Sequence, residues 1–397
     1  MYKVNDIIIV GGGSAAWLTA AFLSHNSKCK ITIVDKEKES SLGVGEATVA
    51  NFKPFMDNCG FRFEEWFKVI DATYKTGILF PGWGKNKRAV WHPFQLNPMG
   101  QLGERDPSYP IGFHIDCHKL VKFIQSKLHL KVIKSEVIKL DKKGLLLKNQ
   151  QQLQADLFVD CTGFKSILQK TPVISLNDRL ICDTAIAGHV QYNDVWREKT
   201  PYVISEAVEC GWIWKIPLQS RLGTGIVFNK TITPISKARQ IFLDHWKQRV
   251  GPTKVINWTP YYKKEFWKDN VVRIGLSAGF IEPLESTGLA LIIEGAHQLL
   301  IALSGAGFTS YDVAIYNAVL QNFFEESIDF IGAHYTLNTR SESFWCKARS
   351  KIKKSKRQLL HSKILEDSRN FQQQSLPHWC PYSFFTRINW DLWLRQQ

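Results

Sequence analysis

The sequence predicts an α/β fold, and three observations lead to that prediction. An apolar stretch rich in Ile and Val, Val4–Val10, runs into a glycine-rich turn and then into an apolar helical stretch. Two later segments, 156–163 and 271–280, repeat the pattern of a short apolar strand that ends in a glycine turn. The 397 residues are 44% hydrophobic and 22% charged, which is typical of a folded globular chain and excludes a disordered one.

The first of these patterns has the form of a Rossmann-like β-α-β unit. The strand at 4–10 is followed by Gly11-Gly12-Gly13-Ser14-Ala15-Ala16, by a helix over 17–23, and by a second strand at 31–34 that ends in Asp35. Glycines let the backbone approach a pyrophosphate, the helix terminus offers free amides, and the acidic residue accepts hydrogen bonds from ribose hydroxyls. We therefore expect a dinucleotide to bind at this turn.

Later segments continue the alternation of strands and helices. The stretch 131–147 is rich in strand formers, and the strand before Asp160–Gly163 ends in Asp-x-Thr-Gly. Such small residues suit a close approach of the chain to a ligand, although an ordinary strand end and turn explains them equally well. The strand and turn at 271–280 lead to a predicted helix over 289–301. Thr287-Gly288 falls near the start of that helix, where free amides favour an anion.

The domain organisation is predicted to be a single body with a cap. Residues 1–340 form the main body, and mixed strand signals around 60–112 and 180–270 predict an inserted substrate sheet. Residues 341–397 are rich in Lys and then in Trp, which predicts a helical, basic C-terminal cap. The chain shows no internal repeat and no Gly/Ser linker, so we expect its parts to pack together.

The chain has a net charge of +15, from 51 Lys+Arg against 36 Asp+Glu. Part of the excess of basic residues lies in the segment 347–363. A solvated helix face explains this run, and no nucleic-acid-binding motif accompanies it, so we expect no nucleic-acid partner. A basic surface can equally attract an anionic cofactor or an acidic protein.

The cysteines and the apolar segments exclude other classes. The 8 cysteines lie far apart, without a C-x-x-C pair or a histidine at zinc-ligand spacing, so neither a metal site nor a disulfide framework is expected. The chain has no signal-peptide pattern and no apolar stretch of about 18 residues or more. We therefore expect a cytoplasmic protein with reduced thiols and no membrane span.

Four blocks of sequence carry a more specific signal. They are the turn Gly11–Ala16, the loop Leu42–Thr48, the W-x-W-x-I-P block Trp212–Pro217, and Gly279–Gly288, which contains P-L-E-S-T. Together they resemble the flavin-dependent halogenases of the tryptophan halogenase family. Weaker matches are 92–94, 112–116, 160–164, 334–335, Arg340 and 344–345. These blocks follow the order of the family from residue 4 to about 349, so the resemblance covers most of the chain.

The resemblance implies an FAD-binding Rossmann-like core of the glutathione-reductase-2 or p-hydroxybenzoate-hydroxylase type, with a mixed β-sheet substrate region and a helical C-terminal cap. It also implies an enzyme that uses reduced FAD, O2 and chloride or bromide to form hypohalous acid and halogenate an electron-rich ring such as tryptophan or indole. The sequence has one dinucleotide turn and lacks a second for a nicotinamide cofactor. A separate flavin reductase is therefore expected to supply the reduced flavin, as in the family.

The resemblance also assigns site residues. Lys75 and Glu285 are the expected catalytic residues, the lysine directing the halogen electrophile and the glutamate polarising it or taking the proton from the cationic ring. The expected halide-binding residues are Thr287 and Gly288. The expected cofactor-binding residues are Gly11, Gly13, Ser14, Ala15, Ala16, Asp35, Gly45, Glu46, Ala47, Asp160, Gly163, Gly279 and Leu284. The expected residues of the substrate pocket are His92, Phe94, Trp212, Trp214 and Pro283.

Each assignment has a simpler structural alternative when its residue is considered alone. Lys75 can be a surface lysine, and Glu285 can be an acid at the start of a helix. Trp212 and Trp214 can be core aromatics, and His92 can be a structural histidine.

Two other functional classes are also compatible with the sequence. One is a flavin monooxygenase that hydroxylates an aromatic ring, and the other is a non-catalytic flavin-binding or nucleic-acid-binding protein that uses the basic tail. The W-x-W-x-I-P block together with Lys75 and Glu285 favours halogenation over both. Because the chain is shorter than typical members, we expect a more open substrate pocket. The substrate, the ring position, the preferred halide and the oligomeric state, monomer or homodimer, stay open.

Overall fold

A computed structural model describes residues 3–36, 43–94, 111–304, 307–368, 384–385 and 387–395. Its strands are β1 (Asp6–Val10), β2 (Lys30–Asp35), β3 (Glu46–Ala47), β4 (Thr73–Lys75), β5 (Gly77–Phe80), β6 (Val90–Pro93), β7 (Gly112–Ile115), β8 (Lys131–Lys134), β9 (Val137–Asp141), β10 (Gly144–Leu147), β11 (Gln152–Leu153), β12 (Leu157–Asp160), β13 (Val173–Ser175), β14 (Thr184–Val190), β15 (Val203–Val208), β16 (Gly211–Pro217), β17 (Leu222–Phe228), β18 (Lys254–Asn257), β19 (Tyr261–Lys263), β20 (Trp267–Lys268), β21 (Val271–Arg273) and β22 (Gly279–Phe280).

The helices of the same ranges are α1 (Ser14–Asn26), α2 (Phe52–Asn58), α3 (Phe63–Trp66), α4 (Cys117–Lys127), α5 (Val195–Glu198), α6 (Ile235–His245), α7 (Thr287–Leu303), α8 (Ser310–Leu337), α9 (Ser343–Lys351), α10 (Lys356–Ser368) and α11 (Arg387–Arg395). Within these ranges, no helix combines the length and the apolar character that crossing a membrane requires.

A parallel sheet forms the amino-terminal core. Its strand order is β20-β21-β12-β1-β2-β8, and only β20 runs antiparallel to its neighbour. Strand β1 is the apolar run DIIIV because helices and loops cover both faces of a parallel sheet. The carboxyl ends of β1, β2 and β12 lie at one edge, which brings the turn after Val10 close to Asp35 and Asp160. Ligands of open α/β sheets bind at this edge.

A second, mostly antiparallel sheet of seven strands stands beside the first. Its order is β18-β14-β17-β16-β15-β5-β6, with β15 and β5 parallel. Side chains alternate along β16, so Trp212 and Trp214 face the main core while Ile213 joins a smaller core under α6. The tryptophans of β16 are thereby held on the face that looks toward the parallel sheet.

A small three-stranded sheet, β3-β7-β4, connects the two larger ones. In it Glu46 pairs with Ile115, and Lys75 pairs with Gly112. This pairing brings the loop before β3 and the end of β4 onto the same strand, β7.

The fold class predicted from the sequence is confirmed, with helix and strand bounds that differ by a few residues. The first helix begins within the glycine turn at Ser14 and ends at Asn26 instead of spanning 17–23. The helix expected over 289–301 spans Thr287–Leu303. Described residues after 340 include α9, α10 and α11, but a domain boundary at residue 340 stays a prediction.

Candidate active site

The glycine turn after β1 combines a close backbone contact at one glycine with open space at another. Gly11 has φ +137, and a Cβ there would lie 2.4 Å from the Cys161 carbonyl oxygen. A Cβ on Gly13, by contrast, would meet nothing within 4 Å. Ser14, Ala15 and Ala16 form the first turn of α1, whose amides have no partner within the helix. The turn therefore presents open space and free donors together, which suits an anionic group.

The two acids at the sheet edge have different roles. A Cβ on Gly12 would lie 2.3 Å from the Asp35 carboxylate, so this acid sits directly beside the turn. The Asp160 carboxylate accepts hydrogen bonds from the amides of Thr162 at 3.0 Å and Leu168 at 3.1 Å. Asp160 thus shapes the turn that leads to Gly163, where φ is +74 and a Cβ would again meet nothing within 4 Å.

The loop 43–47 lies over the end of β16. Gly45 has φ +81, and a Cβ there would lie 3.3 Å from both Ile216 and Leu218. Ala47 is buried beneath the loop, whereas Glu46 is exposed. This packing ties the predicted flavin loop to the W-x-W-x-I-P strand.

The P-L-E-S-T block combines buried and exposed positions. A Cβ on Gly279 would lie 2.7 Å from atoms of Tyr262 and Phe324, so glycine is required there for packing. Leu284 is buried, while Pro283 is exposed at the start of a single 3-10 turn. Gly279 and Leu284 therefore position the turn that carries Glu285.

Lys75 is fully buried at the end of β4. Its Nζ donates a hydrogen bond to the Thr48 carbonyl oxygen at 3.0 Å and lies 4.8 Å from the centre of the Phe94 ring. Burial lowers the pKa of Lys75 to about 7, against the opposing effect of the Glu285 charge. The structure excludes the alternative of a surface lysine and leaves an amine that is partly uncharged at neutral pH.

His114 is a buried neighbour of Lys75 on β7. Its Nδ1 lies 2.8 Å from the Thr73 hydroxyl, and its Nε2 has no partner. Burial and the Lys75 charge hold the pKa of His114 well below its usual range. The histidine therefore adds no second positive charge beside the lysine.

Glu285 lies between two histidines. Its Oε2 is 3.0 Å from His92 Nδ1, and its Oε1 is 2.5 Å from His334 Nε2. All three side chains are buried. Burial raises the pKa of Glu285, but the interactions of its carboxylate with His92 and His334 outweigh burial and bring that pKa to about 2. Glu285 is therefore not only an acid at the start of a helix, and the His92 ring is hydrogen-bonded to its carboxylate.

The predicted halide residues begin α7. Ser286 has φ +60, and this left-handed turn starts the helix at Thr287. Thr287 is buried, and its hydroxyl has no hydrogen-bond partner. A Cβ on Gly288 would meet nothing within 4 Å. An unpaired donor, open space and the amides of a 17-residue helix lie together, which suits a small anion.

Trp212 and Trp214 are buried side by side, with ring centres 6.3 Å apart. The Trp212 indole Nε1 donates to the Tyr335 hydroxyl at 3.1 Å, and that hydroxyl donates to Glu282 Oε1. These contacts fix the Trp212 ring between β16 and α8. Both tryptophans are core aromatics by their burial, and Trp212 contacts α8 through Tyr335.

Glu282 is a buried acid that the sequence interpretation did not single out. It is fully buried, and its Oε2 has no hydrogen-bond partner. Burial raises the pKa of Glu282 to about 7, although the hydrogen bond from Tyr335 opposes the change. Its place directly before P-L-E-S-T, three residues before Glu285, was the available sequence signal.

The carboxy-terminal helices close over the His92 side of the site. Asn389 on α11 donates to His92 Nε2 at 2.9 Å, and the Phe385 ring stacks on Phe330 at 4.2 Å. Trp393 stacks on His334 at 3.7 Å. The sequence does not predict these contacts, because only a fold that returns the tail to the body creates them. Trp379 and Cys380 lie outside the described residues.

No group of three or more His, Cys, Asp or Glu side chains is arranged to hold a metal ion within the part of the chain that the structure describes. Glu285 and the two histidines beside it, His92 and His334, are instead hydrogen-bonded to one another.

This geometry has counterparts of known structure and sequence. A flavin-dependent halogenase from Xanthomonas campestris, Xcc4156, superposes with a TM-score of 0.88 at 25% identity, covering 99% of this chain and 89% of that one. Tryptophan 6-halogenase SttH from Streptomyces toxytricini superposes with a TM-score of 0.85 at 26% identity, covering 98% and 90%. Tryptophan 6-halogenase ThaL of Streptomyces albogriseolus is 28% identical over 424 residues, covering 88% of this chain and 80% of its own.

The fold, the buried lysine and glutamate, and these similarities define a flavin-dependent halogenase. The sequence model of the tryptophan halogenase family matches residues 6–106 and 104–392, so the chain belongs to that family.

Proposed function

We propose that this enzyme uses reduced FAD, O2 and chloride or bromide to halogenate an electron-rich aromatic ring such as tryptophan, indole or a related arene. The observation that carries the proposal is the burial of Lys75 and Glu285 in one electrostatically coupled site, with the helix terminus at Thr287 following directly after the glutamate. A hydroxylase needs no such lysine.

FAD would be held at the edge of the parallel sheet. The open space at Gly13, the first amides of α1 and the Asp35 carboxylate beside the turn fit a dinucleotide there. When bound and reduced, the flavin would supply hypohalous acid from O2 and halide. A separate flavin reductase is expected to deliver the reduced flavin, and Thr287 with Gly288 would hold the halide.

Lys75 would orient the electrophile. An amine with a pKa of about 7 can donate a hydrogen bond when charged, and can bind the halogen directly when neutral. Phe94 lies against this amine, so a halogen held there would be close to an aromatic wall. Glu285 is ionised across the physiological range and would accept the proton that the ring loses after halogenation.

The test is an assay of the purified protein with FAD, NADH, a flavin reductase, bromide or chloride, and a panel of indoles and phenols. Mass spectrometry should find products with halogen isotope patterns. Lys75→Met should abolish them. Lys215→Met is the matched control, because Lys215 also lies over a ring, that of Trp246 at 5.3 Å, but is paired with Glu206 elsewhere. Oxygenated products, or halogenation that survives in Lys75→Met, would overturn the proposal.

A further inference from the structure

The hydrogen bonds around His334 require more protons than a neutral histidine carries. His334 Nδ1 lies 2.7 Å from the Phe330 carbonyl oxygen, which can only accept, so Nδ1 bears a hydrogen. On the other side of the ring, Nε2 lies 2.5 Å from Glu285 Oε1. A contact this short between a ring nitrogen and a carboxyl oxygen needs a hydrogen between them. One proton is therefore shared by His334 and Glu285.

His92 does not supply that proton. Its Nε2 accepts from the Asn389 amide nitrogen at 2.9 Å, so the ring hydrogen of the neutral form lies on Nδ1. From there it is donated to Glu285 Oε2 at 3.0 Å. The two histidines thus differ in their partners: His92 lies between Asn389 and Glu285, whereas His334 holds a proton jointly with the carboxylate.

The surroundings of the His334 ring are aromatic and buried. Trp393 stacks on the His334 ring at 3.7 Å, and Phe80 and Phe330 meet it edge-on at 5.3 and 4.9 Å. His334 itself is fully buried. Burial lowers the pKa of His334, while the hydrogen bond and the charge of Glu285 oppose that change, so the proton on this ring depends on the carboxylate. Glu285 is also coupled electrostatically to Lys75.

We propose that His334 and Glu285 form a proton reservoir for the halogenation step, with His334 acting through Glu285 as a positioning residue. The proposal rests on the proposed function. The reservoir explains why Glu285, a carboxylate that must both give and take a proton, is hydrogen-bonded to the buried His334.

The proton balance of the step closes without another reactant. As the halogen bonds to the ring carbon, the oxygen–halogen bond of hypohalous acid breaks and its electron pair stays on oxygen, leaving hydroxide. The reservoir gives its proton through Glu285 to that hydroxide, forming water. The cationic ring then gives its own proton to Glu285, the carbon–hydrogen electron pair restores aromaticity, and the reservoir is reloaded. The net reaction converts the arene and hypohalous acid into the haloarene and water.

The shared proton can be observed directly in the intact protein. In protein labelled with 15N-histidine, we expect one strongly downfield proton coupled to a ring nitrogen, and its loss in both His334→Gln and Glu285→Gln. His361→Gln is the matched control, because His361 is a histidine of the carboxy-terminal helix α10 that stacks on Trp390 and does not contact Glu285. Absence of the downfield proton from the wild type, or its persistence in His334→Gln, would overturn the inference.

The role of the reservoir is tested by an isotope effect. With a substrate deuterated at the halogenated carbon, we expect an isotope effect on kcat near one for the wild type and for His361→Gln. In His334→Gln, kcat should fall on the order of 10²-fold, and the isotope effect should rise clearly above one, because loss of the ring proton becomes slow. An unchanged isotope effect in a folded His334→Gln overturns the role.

The two proposals fail differently. A wild type that halogenates but lacks the downfield proton refutes the reservoir alone. A wild type that has the downfield proton but yields no halogenated product overturns the proposed function, and with it the reservoir's role.

Discussion

Replacing Lys75 by methionine should stabilise the fold while abolishing halogenation. The buried amine has its pKa lowered from 10.5 to about 7, so the folded chain binds this proton more weakly than the unfolded chain does. At about 1.4 kcal/mol per pH unit, the wild type loses about 5 kcal/mol of stability below pH 7 from this one group. Methionine has a similar length and carries no charge, and the lost hydrogen bond to Thr48 subtracts about 1 kcal/mol from the gain.

The expected gain in the free energy of unfolding is therefore about 4 kcal/mol below pH 7. The sign follows from the lowered pKa: the wild type recovers stability as pH rises from 7 to 10.5, so the advantage of the variant shrinks over that range.

Urea denaturation of the wild type, Lys75→Met and Lys215→Met at pH 6, 8 and 10 would measure this trend. A Lys75→Met variant that is less stable than the wild type at pH 6, or that gains equally at all three pH values, would refute the reasoning. The first result would mean that packing of the lysine stem outweighs the desolvation of its charge.

Four further predictions concern the site and the glycine turn. Glu285→Gln should still generate hypohalous acid, trapped by a reactive phenol, but should halogenate the arene on the order of 10²-fold more slowly, because no ionised base remains; equal loss of both activities would contradict this. Glu282→Gln should have a free energy of unfolding up to about 3 kcal/mol higher than the wild type above pH 7. The reason is the raised pKa of about 7, because of which the wild type loses stability as pH rises from 4.5 to 7. Urea denaturation at pH 5 and 8 measures this difference, and a stability gain of equal size at both pH values would count against the prediction. Gly11→Ala should lower the free energy of unfolding, measured by urea denaturation, by at least about 2 kcal/mol. The reason is that its Cβ would lie 2.4 Å from the Cys161 carbonyl oxygen. Gly13→Ala should fold normally and lose affinity for FAD, measured by flavin fluorescence; unaltered FAD binding would show that the pyrophosphate lies elsewhere.

Much of the fold follows from local pattern. The apolar run of β1, the glycine turn and the helix after it are encoded within about twenty consecutive residues, because a buried parallel strand and a close backbone approach each demand specific residue types. Asp35 could be placed for the same reason, and so could the start of α7 to within two residues. These features depend on near neighbours in the chain.

The family resemblance identified Lys75 and Glu285, but their physical state could not be derived from sequence. The lowered pKa of Lys75 depends on complete burial among strands that are remote in the chain, and Thr48 and Phe94 reach it from two different segments. A residue's neighbours in space fix its desolvation, and a linear pattern does not report them.

The sequence by itself determined the α/β class, the dinucleotide turn and the order of the family's motifs. Only the tertiary structure decided that His334, from the middle of the chain's last third, and Asn389, near its end, meet His92 and Glu285. Their separations are 49 residues for His334–Glu285 and 297 for Asn389–His92, so no periodicity links them. Local propensities act over a turn of helix or a pair of strands, whereas these contacts form only because the helices after β22 fold back over the sheets and bury their polar groups against one another.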